Sequence, residues 1–145
     1  MALKERVNKP GAGYVPAYQV SGTPYVTSSS TTEIPEAVEK VPASLEIKFP
    51  FVTRWVVVQN IGNNAIKMGF TKNGVNIVSG CFVIPSQTST VANVSPARTE
   101  RLELRCKSLH FAGVGGTSGV QIIAGLTGLE EFPVLTGSDG FEGIG

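Results

Sequence analysis

This chain of 145 residues has one histidine, two cysteines and one tryptophan, and only 16% of its residues are charged. Each scarcity removes a class of function. A Ser-His-Asp or Cys-His site would have to use His110, and no nucleophile elbow surrounds a candidate serine. Strand alternation sets His110 opposite Leu109 and Phe111, facing outward or into an interface. One histidine and two well-separated cysteines, Cys81 and Cys106, do not form a recognisable metal-ligand cluster. They do not form a disulfide framework either, so both are expected as free, buried thiols. No apolar run approaches the roughly 20 residues of a membrane span. The opening Met1-Ala-Leu-Lys-Glu-Arg-Val-Asn-Lys9 lacks the apolar centre of a secretory signal. A net charge of +1 gives no electrostatic case for gripping nucleic acid or an anionic membrane. No enzyme, cofactor or metal site is expected.

What the chain has in quantity is strand and turn material. Apolar residues make up 41%, with 17 glycines and 9 prolines, a mixture suited to short strands and many turns. The centre of the pattern is Phe49-Pro-Phe-Val-Thr-Arg-Trp-Val-Val-Val-Gln-Asn60, β-branched and aromatic residues bounded by proline and asparagine. It reads as a strand buried on much of its surface. Before it, Leu45, Ile47 and Phe49 alternate with Glu46 and Lys48. After it come a turn at residues 60–64, a strand at 65–70 and a turn at Lys72-Asn73-Gly74. One or two short strands are expected between Val75 and Ile84, and a weaker one between Pro85 and Pro96. Leu102, Leu104 and Cys106 alternate with Arg101, Glu103 and Arg105, and Val120–Ala124 is the last strand. About eight short strands without a convincing helix indicate a sandwich or barrel, with jelly roll and immunoglobulin-like as leading options. The Cys…Trp…Cys order of an immunoglobulin domain is absent, because both cysteines follow Trp55.

Three regions follow: an extended arm at 1–43, a β domain at 44–128 and an acidic, Gly-rich tail at 129–145. The arm holds five prolines and all three tyrosines, Tyr14, Tyr18 and Tyr25. Such a segment either orders on a partner's surface or packs its rings on its own domain. The expected core is Phe49, Val52, Trp55, Val57, Phe70, Leu102, Leu104, Phe111 and Ile122. Were Trp55 in the core, its replacement by alanine would cost about 3–5 kcal/mol. Gly113–Gly119 lacks the Gly-Lys-Ser/Thr of a phosphate loop and reads as a strand connection. Arg98, Arg101, Arg105 and Lys107 alternate with Glu100 and Glu103, which suits ion pairs or an interface better than a phosphate track.

The order of short motifs resembles the penton, or capsid vertex, proteins of large icosahedral nucleocytoplasmic DNA viruses such as chloroviruses. The pieces are Gly22-Thr-Pro-Tyr-Val-Thr-Ser28, residues 49–60, and Met68-Gly-Phe-Thr-Lys-Asn-Gly-Val75. Leu102-Glu-Leu-Arg-Cys-Lys-Ser-Leu109, Ala124-Gly-Leu-Thr127 and Phe132-Pro-Val-Leu-Thr-Gly-Ser138 complete the series. The resemblance implies a single eight-stranded jelly roll. It also implies a homopentamer at the fivefold vertices of a double-stranded DNA virion, assembled in the host cytoplasm beside major and minor capsid proteins. No direct sequence-specific nucleic acid binding is implied. Candidate assembly contacts are Tyr14, Tyr18, Tyr25, Arg101, Arg105, Phe132 and Phe141. The alternative reading is a non-enzymatic virion spike or glycan-binding β-sandwich.

Overall fold

The computed structural model describes residues 23–37, 43–76, 80–87 and 97–130. Its strands are β1 (Thr23–Ser28), β2 (Leu45–Lys48), β3 (Thr53–Asn60), β4 (Ile66–Gly69), β5 (Phe82–Ile84), β6 (Ser108–Gly113) and β7 (Val120–Leu126). They form two sheets, ordered β1-β7-β3 and β2-β6-β4-β5, with every strand pair antiparallel. The described residues contain no α-helix, only a 3-10 turn at Gly74–Asn76.

Period-two alternation decides which residues meet between the sheets. From the first sheet come Val56 and Val58 of β3 and Val120, Ile122, Ala124 and Leu126 of β7. From the second come Ile66 and Met68 of β4, Ile84 of β5, and Leu109 and Phe111 of β6. All belong to one buried cluster, so the protein is a two-layered, all-β arrangement with its core between the layers.

A further stretch, residues 97–106, completes the first sheet without being a regular strand. Asn60 N–H donates to the Ala97 carbonyl, and Thr99 N–H donates to that of Val58. Val56 and Leu102 exchange both backbone hydrogen bonds at 2.9 Å, and Thr53 N–H donates to the Cys106 carbonyl. The pairing slips by one residue between Thr99 and Leu102, and by one more between Leu102 and Cys106. Each slip acts as a β-bulge, which bends a strand while keeping it on its neighbour. Side chains stabilise the irregular edge: Thr99 Oγ1 accepts from Val58 N–H, and buried Thr53 Oγ1 donates to the Leu104 carbonyl and accepts from Cys106 N–H.

The end of the sandwich beyond β3 is closed by buried Asn60. Its Nδ2 donates to the carbonyls of Asn64 and Pro85, while its Oδ1 accepts from Gly62 N–H and the Ser118 hydroxyl. The residues that look like a simple turn in sequence are therefore tied to two other loops.

Two expectations are corrected. The segment before residue 44 is not a separate arm over its described part: β1 pairs with β7 along its whole length, and Ile34 is fully buried. Tyrosine, valine and threonine give those residues the strand propensity that their prolines mask. Residues 33–37 run extended against Ser118 and Gly113. Of the one or two short strands expected between Val75 and Ile84, the described chain has one, the three-residue β5, preceded by the 3-10 turn. Finally, Trp55 and Val57 are outside the core cluster and only half-buried. The first sheet is covered on one side, so alternation sends Val56 and Val58 in and Trp55 and Val57 out; a run of valines alone does not reveal that one-sidedness. Of the other expected core residues, Phe49, Val52, Phe111 and Ile122 are buried, while Phe70, Leu102 and Leu104 pack half-buried against the cluster.

Candidate functional site: two unlike outer faces

Strand register sets three residues side by side on the outer face of the first sheet. Pro24, Gly125 and Trp55 form one row, and Val26, Ile123 and Val57 the next. Ser28, Gln121 and Gln59 make a polar third row. Val26 is 63% exposed and Ile123 is 45% exposed, so two neighbouring strands present aliphatic side chains to solvent. A bulge at Arg54, where the β3–β7 register shifts between Thr53 and Trp55, lets Thr53 turn inward while Trp55 turns out.

Arg101, on the irregular edge, lays its guanidinium 5.0 Å from the Trp55 ring centroid. Its Nε also lies 2.9 Å from Glu103 Oε1. The cation stacks on the ring's negative face while its stem covers apolar surface. The expected interface residue Arg101 and the expected core residue Trp55 thus form one unit.

The outer face of the second sheet is built differently. Glu46, Lys48, Lys67, Ser108 and His110 stand there, opposite the inward Ile47, Met68, Leu109 and Phe111. His110 Nδ1 is 3.4 Å from Ser44 Oγ, and its Nε2 is 3.8 Å from Glu46 Oε1. Glu46 Oε2 in turn lies 3.5 Å from Lys48 Nζ. Burial pushes the His110 pKa below its ordinary value; Glu46 opposes that shift, and Lys48 and Lys72 add to it. A hydroxyl, an imidazole and a carboxylate in series is the order of a hydrolytic triad. Both separations exceed the ~2.6–3.2 Å over which such groups pass protons. At these distances the arrangement orients the imidazole ring.

Tyr25 does not stand on the outer face. It packs edge-on against Phe49, with centroids 5.5 Å apart, and adds to the core. This is the reading in which the tyrosine packs on its own domain. Arg105 is exposed beside Arg101. Tyr14, Tyr18, Phe132 and Phe141 lie outside the described residues. Cys106 is buried and Cys81 half-buried, both as free thiols; burial raises the Cys106 pKa and the Thr53 hydrogen bond partly offsets this. Among the described residues no three His, Cys, Asp or Glu side chains gather to hold a metal, and no helix is long and apolar enough to cross a membrane. The exposed Val26 and Ile123 escaped sequence reading. The available signal was the doublet Ile122-Ile123, since one of two adjacent strand residues must face outward.

No family model, curated protein or solved structure matches this chain. The class that fold and surfaces define is an all-β protein of two antiparallel sheets, one with an apolar outer face and the other with a largely charged one that also exposes Val83 beside Lys67.

Proposed function

We propose that the protein is an eight-stranded jelly roll acting as a structural, non-enzymatic capsid subunit, five copies of which close each fivefold vertex of a large icosahedral DNA virion. The observation that carries the reading is the nesting of its strand pairs. With residues 97–106 taken as the sixth of eight strands, first pairs with eighth, second with seventh, third with sixth and fourth with fifth. That is one long hairpin. The cross-pairings β7·β3 and β6·β4 are those formed when such a hairpin is rolled into two sheets. The rolled hairpin also serves lectins and cupins, so fold alone does not select the function. The order of vertex-protein motifs along the sequence selects it. An apolar outer face opposite a charged one suits a wedge that must bury one side against neighbours. A fivefold ring requires a head-to-tail interface between unlike surfaces, which two dissimilar faces provide.

The deciding experiment is cryo-electron microscopy of particles containing this chain. Fivefold density should accept five copies of the sandwich; fivefold density that cannot accommodate this sequence ends the proposal.

One observation favours a second reading, a glycan-binding module. Trp55 is partly exposed and on an outer face, where an aromatic platform for a sugar would stand. Arg101 occupies a face of that ring, which places this reading second. Specific hits on a glycan array, lost in Trp55→Ala, would reverse the order.

A further inference from the structure

Three long runs of the chain, residues 10–32, 73–97 and 108–129, contain no Asp, Glu, Lys or Arg. The last supplies β6 and β7, and each of those strands is flanked on both sides within its sheet. Strands so placed meet other strands along both edges, not water. The other two runs supply β1 and β5, which stand at sheet edges. They have the composition of interior strands in edge positions. The remaining two edges are unlike them. β2 exposes Glu46 and Lys48, and residues 97–106 expose Arg98, Glu100, Arg101, Glu103 and Arg105. Charge on an edge strand opposes its pairing with another chain. Each sheet therefore has one guarded edge and one unguarded one.

The unguarded edges are also the apolar ones. Val26 of β1 is 63% exposed, and Phe82 and Val83 of β5 are 58% and 51% exposed. Among the described residues no strand pairs with the open side of either. Asn60 Nδ2 reaches the Ile84 and Pro85 carbonyls, so Phe82 and Val83 are the open part of β5. Pro24 has no N–H to give, which leaves Tyr25–Ser28 as the open part of β1. Tyr25 packs on Phe49, the residue after β2. β1 thus lies over the β2 side of the second sheet, and β5 is that sheet's opposite edge. One copy can engage both edges at once, with two different neighbours.

We propose that β1 of one copy pairs edge to edge with β5 of the next, bringing Val26 against the Phe82–Val83 corner and carrying the sheets on from copy to copy. A second copy is the occupant because the chain itself supplies the match: two uncharged, apolar edges, one on each sheet. The contact joins two different strands, so it is head-to-tail and closes into a ring where the rotation allows. It also names what the apolar face of the first sheet meets, since Ile123 stands beside Val26 on that face. The proposal rests on the vertex reading for the count of five, not for the contact itself.

The test is sedimentation velocity on the full chain, with Val26→Lys and Val83→Lys compared with the parent. Both side chains are exposed, so both variants should keep the parent's far-ultraviolet circular dichroism spectrum. The parent should associate as its concentration rises, and each variant alone should stay monomeric. An equimolar mixture should form dimers and stop there, because one intact β5 and one intact β1 make a single contact. A parent still monomeric at roughly millimolar concentration overturns the proposal. So does a folded variant that assembles like the parent, or a mixture of folded variants that stays monomeric. The vertex reading fails separately. Closed assemblies of another number, blocked by either lysine, would end the count of five and keep the pairing. Pentamers indifferent to both lysines would end the pairing alone.

Discussion

The two sheets have similar inner faces and opposite outer ones. Inside, the first sheet presents valine, isoleucine and leucine, and the second isoleucine, methionine, leucine and phenylalanine, to one cluster. Outside, the first sheet shows Val26, Ile123, Val57 and Trp55, while the second shows Glu46, Lys48, Lys67 and His110, with the exposed Val83 beside Lys67. The inner similarity is what a sandwich needs to fold. The outer difference is unnecessary for folding, and leaving aliphatic surface in water is unfavourable at about 25 cal/mol per Å². What differs on the outside therefore bears on what the protein meets. The first sheet's outer face is the more apolar, and the charged groups stand on the second.

Neighbouring residues of β7 give the sharpest way to break this comparison, and the largest expected effect. Ile122 is fully buried and Ile123 is 45% exposed on the opposite side of the same strand. Ile122→Ala should cost about 2–5 kcal/mol of stability, because it removes buried methylenes and leaves a cavity. Ile123→Ala should cost under about 1 kcal/mol, since much of that side chain is already hydrated. Urea denaturation of the two variants measures the difference. Equal losses would mean that the outer face is as tightly covered as the inner one.

Trp55 comes next. On the outer face it loses partial burial and the Arg101 stack rather than a core position, so Trp55→Ala should cost about 1–2 kcal/mol. That is well below the cost of a core tryptophan. Arg101→Ala should account for part of the same loss, and a double-mutant cycle between the two should show coupling of roughly 0.5–1 kcal/mol. A loss of core size for Trp55→Ala, with no coupling to Arg101, would return Trp55 to the interior.

These residues also show how far the sequence could be read. Alternation in Leu45–Phe49 and Arg101–Cys106 was legible, because one side of each segment is polar, and the observed burial follows it. Trp55-Val-Val-Val58 was not, because an apolar run carries no record of which side the second layer covers. β1 was hidden by its neighbours: its six residues have good strand propensity but lie within a stretch rich in proline and serine, and their pairing partner is almost a hundred residues away. Asn60 read as a turn residue, and its hydrogen bonds to three loops come only from tertiary structure. The apolar face itself requires three strands from distant parts of the chain to be side by side, which local pattern does not encode.

The smallest expected effect lies on the charged face and depends on pH. His110 is partly buried, and its pKa is held below the usual 6.5 chiefly by burial, with Lys48 and Lys72 adding to the shift and Glu46 opposing it. The folded protein therefore binds that proton less readily than the unfolded chain. Stability from the neutral imidazole is fully present above the unfolded value and is lost as pH falls through the folded one. Urea midpoints measured between about pH 7.5 and about pH 5 should fall more steeply for the parent than for His110→Gln. Glu46→Gln should leave the onset where it is but deepen the loss and extend it to lower pH, because it removes the one group that favours the charged ring. Parallel curves for parent and His110→Gln would show that the imidazole is as well solvated in the folded state as in the unfolded one. Among the described residues the outer face of the first sheet carries no histidine, so Val26→Ser and Ile123→Ser should leave the pH profile unchanged.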